Sequence, residues 1–355
     1  MQANQYQVPK FITILEDKNY YKDIVLFVER LRLKYSNLVI VGLGGSFVAA
    51  KTILSILPGN GRVRFIYFLD ESIIRENLKE LKDDNTVFLF ISKSGNTIEV
   101  LALYEIIKKY QFRNFIFLTN RNVEKNQLLK ISKQENIECI HHEEDISGRF
   151  SFTSNVFFIP ILFSNLNSTK LITGFCNPIK LLKTDELIKK SFNILFIYDI
   201  RFEFFSHWYN QLFAESLGKS GCDIMPIVNI GTRDQHSVLE QYLNNPHNKF
   251  ITFISKKPSD LSLDIGVNSI INIDKNLSIQ QIKNIEMQAT MQSCNEVGLC
   301  YRHIELEYLD EYSISSLMMG FAMEILEIAR KLNIDPFSQE MVEKRKSISL
   351  DKMKV

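Results

Sequence analysis

Gln211 and Glu215 stand four residues apart in Asn210-Gln-Leu-Phe-Ala-Glu-Ser-Leu-Gly-Lys219, a spacing that puts both on one face of a helix. That helix is predicted from Phe204 to Lys219, with Trp208, Leu212 and Leu217 as its apolar stripe. A glutamate held in this way can take a proton and return it. The plainer role is an exposed Gln/Glu pair adding roughly a few tenths of a kcal/mol to helix stability.

Hydroxyl groups form the second candidate set. The apolar run Thr86–Ile91 leads into Ser92-Lys-Ser-Gly-Asn-Thr97 and then a helix reaching about Lys109. Another short run, Asn37–Val41, ends in Gly42-Leu-Gly-Gly-Ser46, with a helix from Phe47 to Leu57. Strand, glycine turn and helix together present backbone N–H groups and a helix N-terminus to an anion. One hydroxyl at such a junction is a helix cap. Ser92, Ser94 and Thr97, joined by Ser46 from a neighbouring parallel strand, can surround a phosphate at the sheet edge where ligands bind. The glycine turn is not the dinucleotide fingerprint, because Ala49 and Ala50 follow where a spaced third glycine would sit.

Three further groups are cationic or titratable. In Ile146-Ser-Gly-Arg-Phe-Ser151, Arg149 heads an apolar helix predicted from Phe152. It either pairs with Glu143, Glu144 or Asp145, or turns its guanidinium to the ligand edge to stabilise developing negative charge. The neighbouring His141 and His142 read as structural. His236, in Gly231-Thr-Arg-Asp-Gln-His-Ser237, is expected to open a helix whose dipole favours the neutral ring; capping and aromatic stacking are its simpler roles. Asp335-Pro-Phe-Ser-Gln339 breaks the closing helix, and Lys344, Arg345 and Lys346 make a basic tail that reads by itself as a solvated charge run.

The elements that must position these residues alternate strand and helix in both halves. Further strands are predicted at 62–69, 115–119 and 138–141, then at 193–199, 224–230, 249–255, 269–273 and 301–309. Helices are predicted at 1–36, most clearly over 24–35, and at 277–297 and 313–332. This grammar implies two three-layer α/β/α sandwiches with mainly parallel sheets. The first domain is expected over 1–170, a crossover over 171–190, the second domain over 191–332 and a tail over 333–355.

With 355 residues, 45% of them hydrophobic, the chain can bury two cores. A net charge of +1 from 42 basic and 41 acidic residues, with no basic stripe, excludes nucleic acid as the main partner. The first 17 residues carry polar groups and a proline where a signal peptide would be apolar. No apolar run is expected to reach the roughly 18 residues of a membrane span. Five scattered cysteines form no CxxC pair, so neither a zinc site nor a disulfide framework is indicated. A cytoplasmic protein without membrane partner follows.

Taken together and in order, GLGGS, SKSGNT, SGRFS, QLFAESLGK, GTRDQHS and DPFSQ…K resemble the glucose 6-phosphate isomerase family, across about 300 residues. The resemblance implies reversible conversion of glucose 6-phosphate to fructose 6-phosphate, in glycolysis and gluconeogenesis. It implies that Glu215 moves the proton between C2 and C1, that Arg149 stabilises the cis-enediolate, and that His236 and Lys346 open the ring. Ser46, Ser92, Ser94 and Thr97 then bind the phosphate, and Gly45, Lys93, Gly148, Gln211 and Gln339 line the pocket. No cofactor and no metal are implied. A homodimer is, with His236 entering the partner's site. The chain departs from the family's pattern at Val100, at Ser147, and at Glu340 and Met341. Two alternatives stand beside it: a dual phosphoglucose/phosphomannose isomerase, which shares the glutamate, the histidine and the phosphate loop, and a non-catalytic sugar-phosphate sensor, which would keep Ser92–Thr97 and could lose Glu215, Arg149 or His236.

Overall fold

The computed structural model describes residues 8–258 and 277–353; the strand expected at 269–273 lies outside them. The chain divides into two compact units, 1–178 with 310–319, and 179–309 with 320–355.

Strands buried on both faces read as unbroken apolar runs, and the first unit is built from such runs. Its strands β1 (Asn37–Val41), β2 (Val63–Ile66), β3 (Thr86–Ile91), β4 (Phe115–Thr119) and β5 (Glu138–His141) form one parallel sheet in the order β2-β1-β3-β4-β5. Every residue of β3 is buried. On one face Val39, Val41, Phe88, Phe90 and Phe117 pack against α3 (Glu71–Lys79), α4 (Ile98–Lys109) and α5 (Gln127–Glu135). Helices α1 (Lys18–Lys34) and α2 (Val48–Ile56) both pack against α6 (Asn155–Phe163), which also touches β1. The chain places β2 on one side of β1 and β3 on the other. Strand order therefore reverses between β1 and β3, leaving a crevice outside their carboxyl ends.

The second unit repeats the plan with β6 (Phe192–Ile197), β7 (Met225–Ile230), β8 (Lys249–Lys256) and β9 (Cys300–Leu306), parallel in the order β7-β6-β8-β9. Ile194, Phe196, Ile251 and Phe253 share a core with Met287 and Cys294 of the long helix Ile279–Glu296. Helix α8 (Glu203–Leu217) packs by its aromatics on the helix Glu311–Leu332, the Phe321 ring centroid lying 5.8 Å from Phe205 and 4.9 Å from Tyr209. Arg302 and Glu324 form a buried pair, Nη2 to Oε2 2.7 Å, and Thr184 Oγ1 donates to the same carboxylate at 2.9 Å. A buried pair satisfied in this way joins strand, helix and crossover without leaving a bare charge.

Several elements differ from the sequence expectation. The region read as a crossover begins inside α7 (Ser168–Cys176), whose first turn is capped by Asn167. Residues 310–319 group with the first unit, where Ser316 Oγ donates to the Asn177 carbonyl at 2.6 Å. Helices α3 and α5, not expected from the sequence, begin at the caps Asp70 and Asn126. The basic tail is helical over Glu340–Met353. Contrary to the expectation of no apolar run of spanning length, Glu311–Leu332 has the length and composition of a membrane span. Most of it is buried in the protein, as a core helix is.

Candidate active site

The glycines of the first unit explain how two loops meet. A Cβ on Gly45 would lie 2.1 Å from the Gly148 carbonyl carbon, so only glycine permits this backbone-to-backbone approach. Ser151 Oγ stands 2.8 Å from the Gly45 carbonyl and 2.7 Å from that of Gly148. The GLGGS and SGRFS turns are thereby one structural piece. Arg149 lies in the 3₁₀ turn Gly148–Thr153, with the α-helix beginning only at Asn155 rather than Phe152. Its side chain is 1% exposed, with the guanidinium 5.7 Å from the Phe150 ring centroid.

The 92–97 loop leaves β3 at the strand reversal. Ser92 is buried, and its Oγ lies 2.7 Å from Thr97 Oγ1. Ser94 is exposed, with its Oγ accepting from Asn96 N at 3.2 Å. Gly95 has φ +67, and a Cβ there would strike Asn126 Oδ1 at 1.7 Å. Asn126 braces the loop from behind: its Nδ2 donates to Thr119 Oγ1 and to the Asn120 carbonyl, each at 2.8 Å.

Capping separates two kinds of strand–helix junction. After β2 and β4, the caps Asp70 and Asn126 accept from Ile73 N and Leu129 N. After β1 and β3, Phe47 and Thr97 sit at the cap positions and make no side-chain cap bond. The N–H groups of the first turns of α2 and α4 thus keep their capacity for an anion.

Lys93 has a structural duty. Its Nζ donates to the carbonyls of Glu144 at 2.5 Å and Ile146 at 3.1 Å, tying the 92–97 loop to the segment leading into Gly148 and Arg149. Burial pushes this ammonium below its ordinary pKa, against the opposing charges of Asp145 and Glu144. His142 is buried, its Nδ1 2.9 Å from the Glu143 carbonyl, and burial lowers its pKa to about 4. It is a neutral structural histidine, as read from the sequence.

In the second unit, Gln211 Nε2 donates to Glu215 Oε1 at 3.0 Å on the half-buried face of α8. The aromatic side of the same helix anchors it, and Asn193 Nδ2 donates to Tyr209 OH at 2.6 Å within the core. Lys219 Nζ reaches three carbonyls: Glu215 at 3.1 Å, Ser216 at 2.8 Å and Asp335 at 2.6 Å. Asp335 Oδ1 accepts from Phe337 N at 2.9 Å, turning the chain toward half-buried Gln339 and exposed Lys346. His236 is exposed and closes the 3₁₀ turn Asp234–His236. The next α-helix starts at Leu239, so His236 does not open a helix and the dipole argument does not apply to it.

Within the first unit the structure brings together Gly45, Ser46, Ser92, Lys93, Ser94, Thr97, Gly148 and Arg149 on the loops after β1 and β3 and the 3₁₀ turn they touch. Within the second it brings together Gln211, Glu215 and the start of the segment carrying Gln339 and Lys346. Asn126 and Lys219 were not singled out by the sequence. Asn126 carried a cap pattern, and Lys219 stood inside a quoted motif. A cavity of about 570 Å³ runs along the edge strand β9, lined by 179–183 and 299–305 among others, and takes in none of these residues. Among the described residues no group of three His, Cys, Asp or Glu side chains is arranged to hold a metal ion.

No family model matches the chain. Over 381 aligned residues it is 29% identical to a glucose-6-phosphate isomerase of Campylobacter jejuni, covering 96% of this chain and 87% of that protein. A solved protein of Thermus thermophilus superposes with TM-score 0.85 at 19% identity, over 97% of this chain and 89% of that one. A glucose-6-phosphate isomerase of Chlamydia trachomatis gives TM-score 0.76 at 18% identity, over 99% of this chain and 76% of that one. The expected fold of two α/β sandwiches is present, and the resemblance read from the motifs is borne out.

Proposed function

We propose, from this likeness to the glucose 6-phosphate isomerases, that the chain interconverts glucose 6-phosphate and fructose 6-phosphate. The observation that carries the proposal is the junction after β3. Paired hydroxyls of Ser92 and Thr97 stand there before a helix that no side chain caps, in a chain similar to curated isomerases over 96% of its length.

The chemistry divides into binding and proton transfer. Ser46, Ser92, Ser94 and Thr97, with the first-turn N–H groups of α2 and α4, take the phosphate, whose binding energy positions the sugar's reacting carbons. Lys346 and His236 serve ring opening: a proton is delivered to the ring oxygen, the C1 hydroxyl loses its own, and the C1–O5 bond breaks to leave the open-chain aldehyde. Glu215 then removes the C2 proton, Arg149 stabilises the oxyanion of the cis-enediolate, the O2 hydroxyl proton passes to O1, and Glu215 returns its proton to C1 to give the ketose. Gln211, donating to Glu215 Oε1, fixes the rotamer of the base. The exposed position of His236 supports its use by a partner subunit in a cytoplasmic homodimer.

The test is a coupled assay on the purified chain with both sugar phosphates, beside sedimentation analysis. Turnover in the common enzymatic range of about 1–1,000 per second is expected, and no interconversion in either direction would refute the reading. Equal turnover of mannose 6-phosphate would reassign the chain as a dual phosphoglucose/phosphomannose isomerase.

A further inference from the structure

The last four carbonyls of a helix lack partners within it, and a nearby cation can take them up. At the end of α8 that cation is Lys219, two residues past Leu217. Its Nζ meets the carbonyl of Glu215 itself, that of Ser216, and that of Asp335 at 116 residues' distance. An ammonium has three N–H donors, and these three backbone carbonyls lie within hydrogen-bond reach of it. Lys219 therefore joins the turn carrying Gln211 and Glu215 to the start of the segment carrying Gln339 and Lys346.

We propose that Lys219 is a positioning residue for the isomerase reaction: its ammonium clamps the base-bearing helix end to the tail, holding Glu215 and Lys346 in one arrangement. This rests on the isomerase reading above. It touches no reacting atom and acts through backbone carbonyls. The consequence is a loss in turnover rather than in substrate affinity, because the phosphate hydroxyls belong to other loops.

The test compares Lys219→Met, which keeps the aliphatic stem, with Lys219→Arg, which keeps charge and donors. Lys219→Met should lower kcat about 30- to 100-fold, the scale of a misplacement of about 1 Å, while KM stays within about threefold. Lys219→Arg should recover most of that loss. Amide hydrogen exchange of Lys219→Met should speed up about tenfold or more over 335–353 and leave β6 and β8 unchanged. Wild-type exchange in the tail, a kcat within about twofold of wild type, or a loss confined to KM would each overturn the clamp. Faster exchange throughout both sheets would also overturn it, by showing a general structural role. An inactive wild-type chain would refute the isomerase reading instead, and tail exchange would still decide whether Lys219 holds the two segments.

Discussion

The two units use one fold plan and one device in different ways. Each commits a lysine ammonium to backbone carbonyls: Lys93 on Glu144 and Ile146, Lys219 on Glu215, Ser216 and Asp335. In the first unit that tie is one of several, since Ser151 and the Gly45–Gly148 contact hold the same turn. In the second, Lys219 reaches a tail whose helix, Glu340–Met353, is largely exposed. The first unit presents backbone N–H groups and hydroxyls at a sheet edge, which suits holding an anion that does not react. The second presents a carboxylate at the end of a helix, which suits moving a proton. In the proposed reaction the first unit thus holds the phosphate and supplies Arg149, and the second supplies the base that moves the proton.

The sharpest way to break that division is Glu215→Gln. It keeps the size of the side chain and the partnership with Gln211 but removes the base. A fall in kcat of about a thousandfold or more with KM little changed is expected; near-wild-type turnover would remove Glu215 from the mechanism. Next comes Ser92→Ala combined with Thr97→Val, which deletes two hydroxyls facing a charged group. Loss of roughly 100-fold or more in kcat/KM, carried by KM, is expected from two hydrogen bonds of about 1.5–3 kcal/mol each. If kcat carried the loss, these two hydroxyls would be doing more than binding.

A smaller effect tests the loop contact. Gly45→Ala forces a Cβ against Gly148 backbone at 2.1 Å, whereas Gly298→Ala, in the second unit, meets open space at φ +69. The first should cost on the order of 3 kcal/mol and lower the melting temperature by about 6–10 °C. The second should cost only the backbone strain of on the order of 1 kcal/mol. Equal melting temperatures would deny that the two turns form one piece.

The smallest effect is one of pH. The folded-state pKa of His142 lies near 4, below its ordinary 6.5. Its contribution is complete above pH 6.5 and is lost as pH falls toward 4, because the unfolded chain takes the proton first. His142→Gln should therefore flatten the acid loss of stability between pH 6.5 and 4 by on the order of 2 kcal/mol. Parallel denaturant titrations at pH 7 and pH 4.5 measure it, and an unchanged slope would remove His142 from the first unit's acid sensitivity.

Much of this was legible in the residues. The runs 37–41, 86–91, 115–119 and 138–141 appear as strands with the expected ends; the first three are largely buried and apolar, as a parallel strand covered on both faces must be. Gln211 and Glu215 share a helix face and a hydrogen bond because the helical period dictates it. The hydroxyls of 92–97 were visible as a set, but whether they capped a helix or stood ready for a ligand was not. Thr97 occupies the cap position and bonds Ser92 instead, a pairing that the chain decides only on folding.

By itself the sequence determined the alternation of strand and helix, the glycine turns and the order of the chemical groups, since these depend on neighbours within a few residues. Tertiary structure decided the rest: the reversal of strand order between β1 and β3, the meeting of Gly45 with Gly148, and the grouping of 310–319 with the first unit. It also decided the reach of Lys219 to Asp335. A lysine two residues past a helix can cap its own carbonyls from local geometry alone. Which distant carbonyl it also reaches depends on where the chain returns more than a hundred residues later, and no local pattern encodes that.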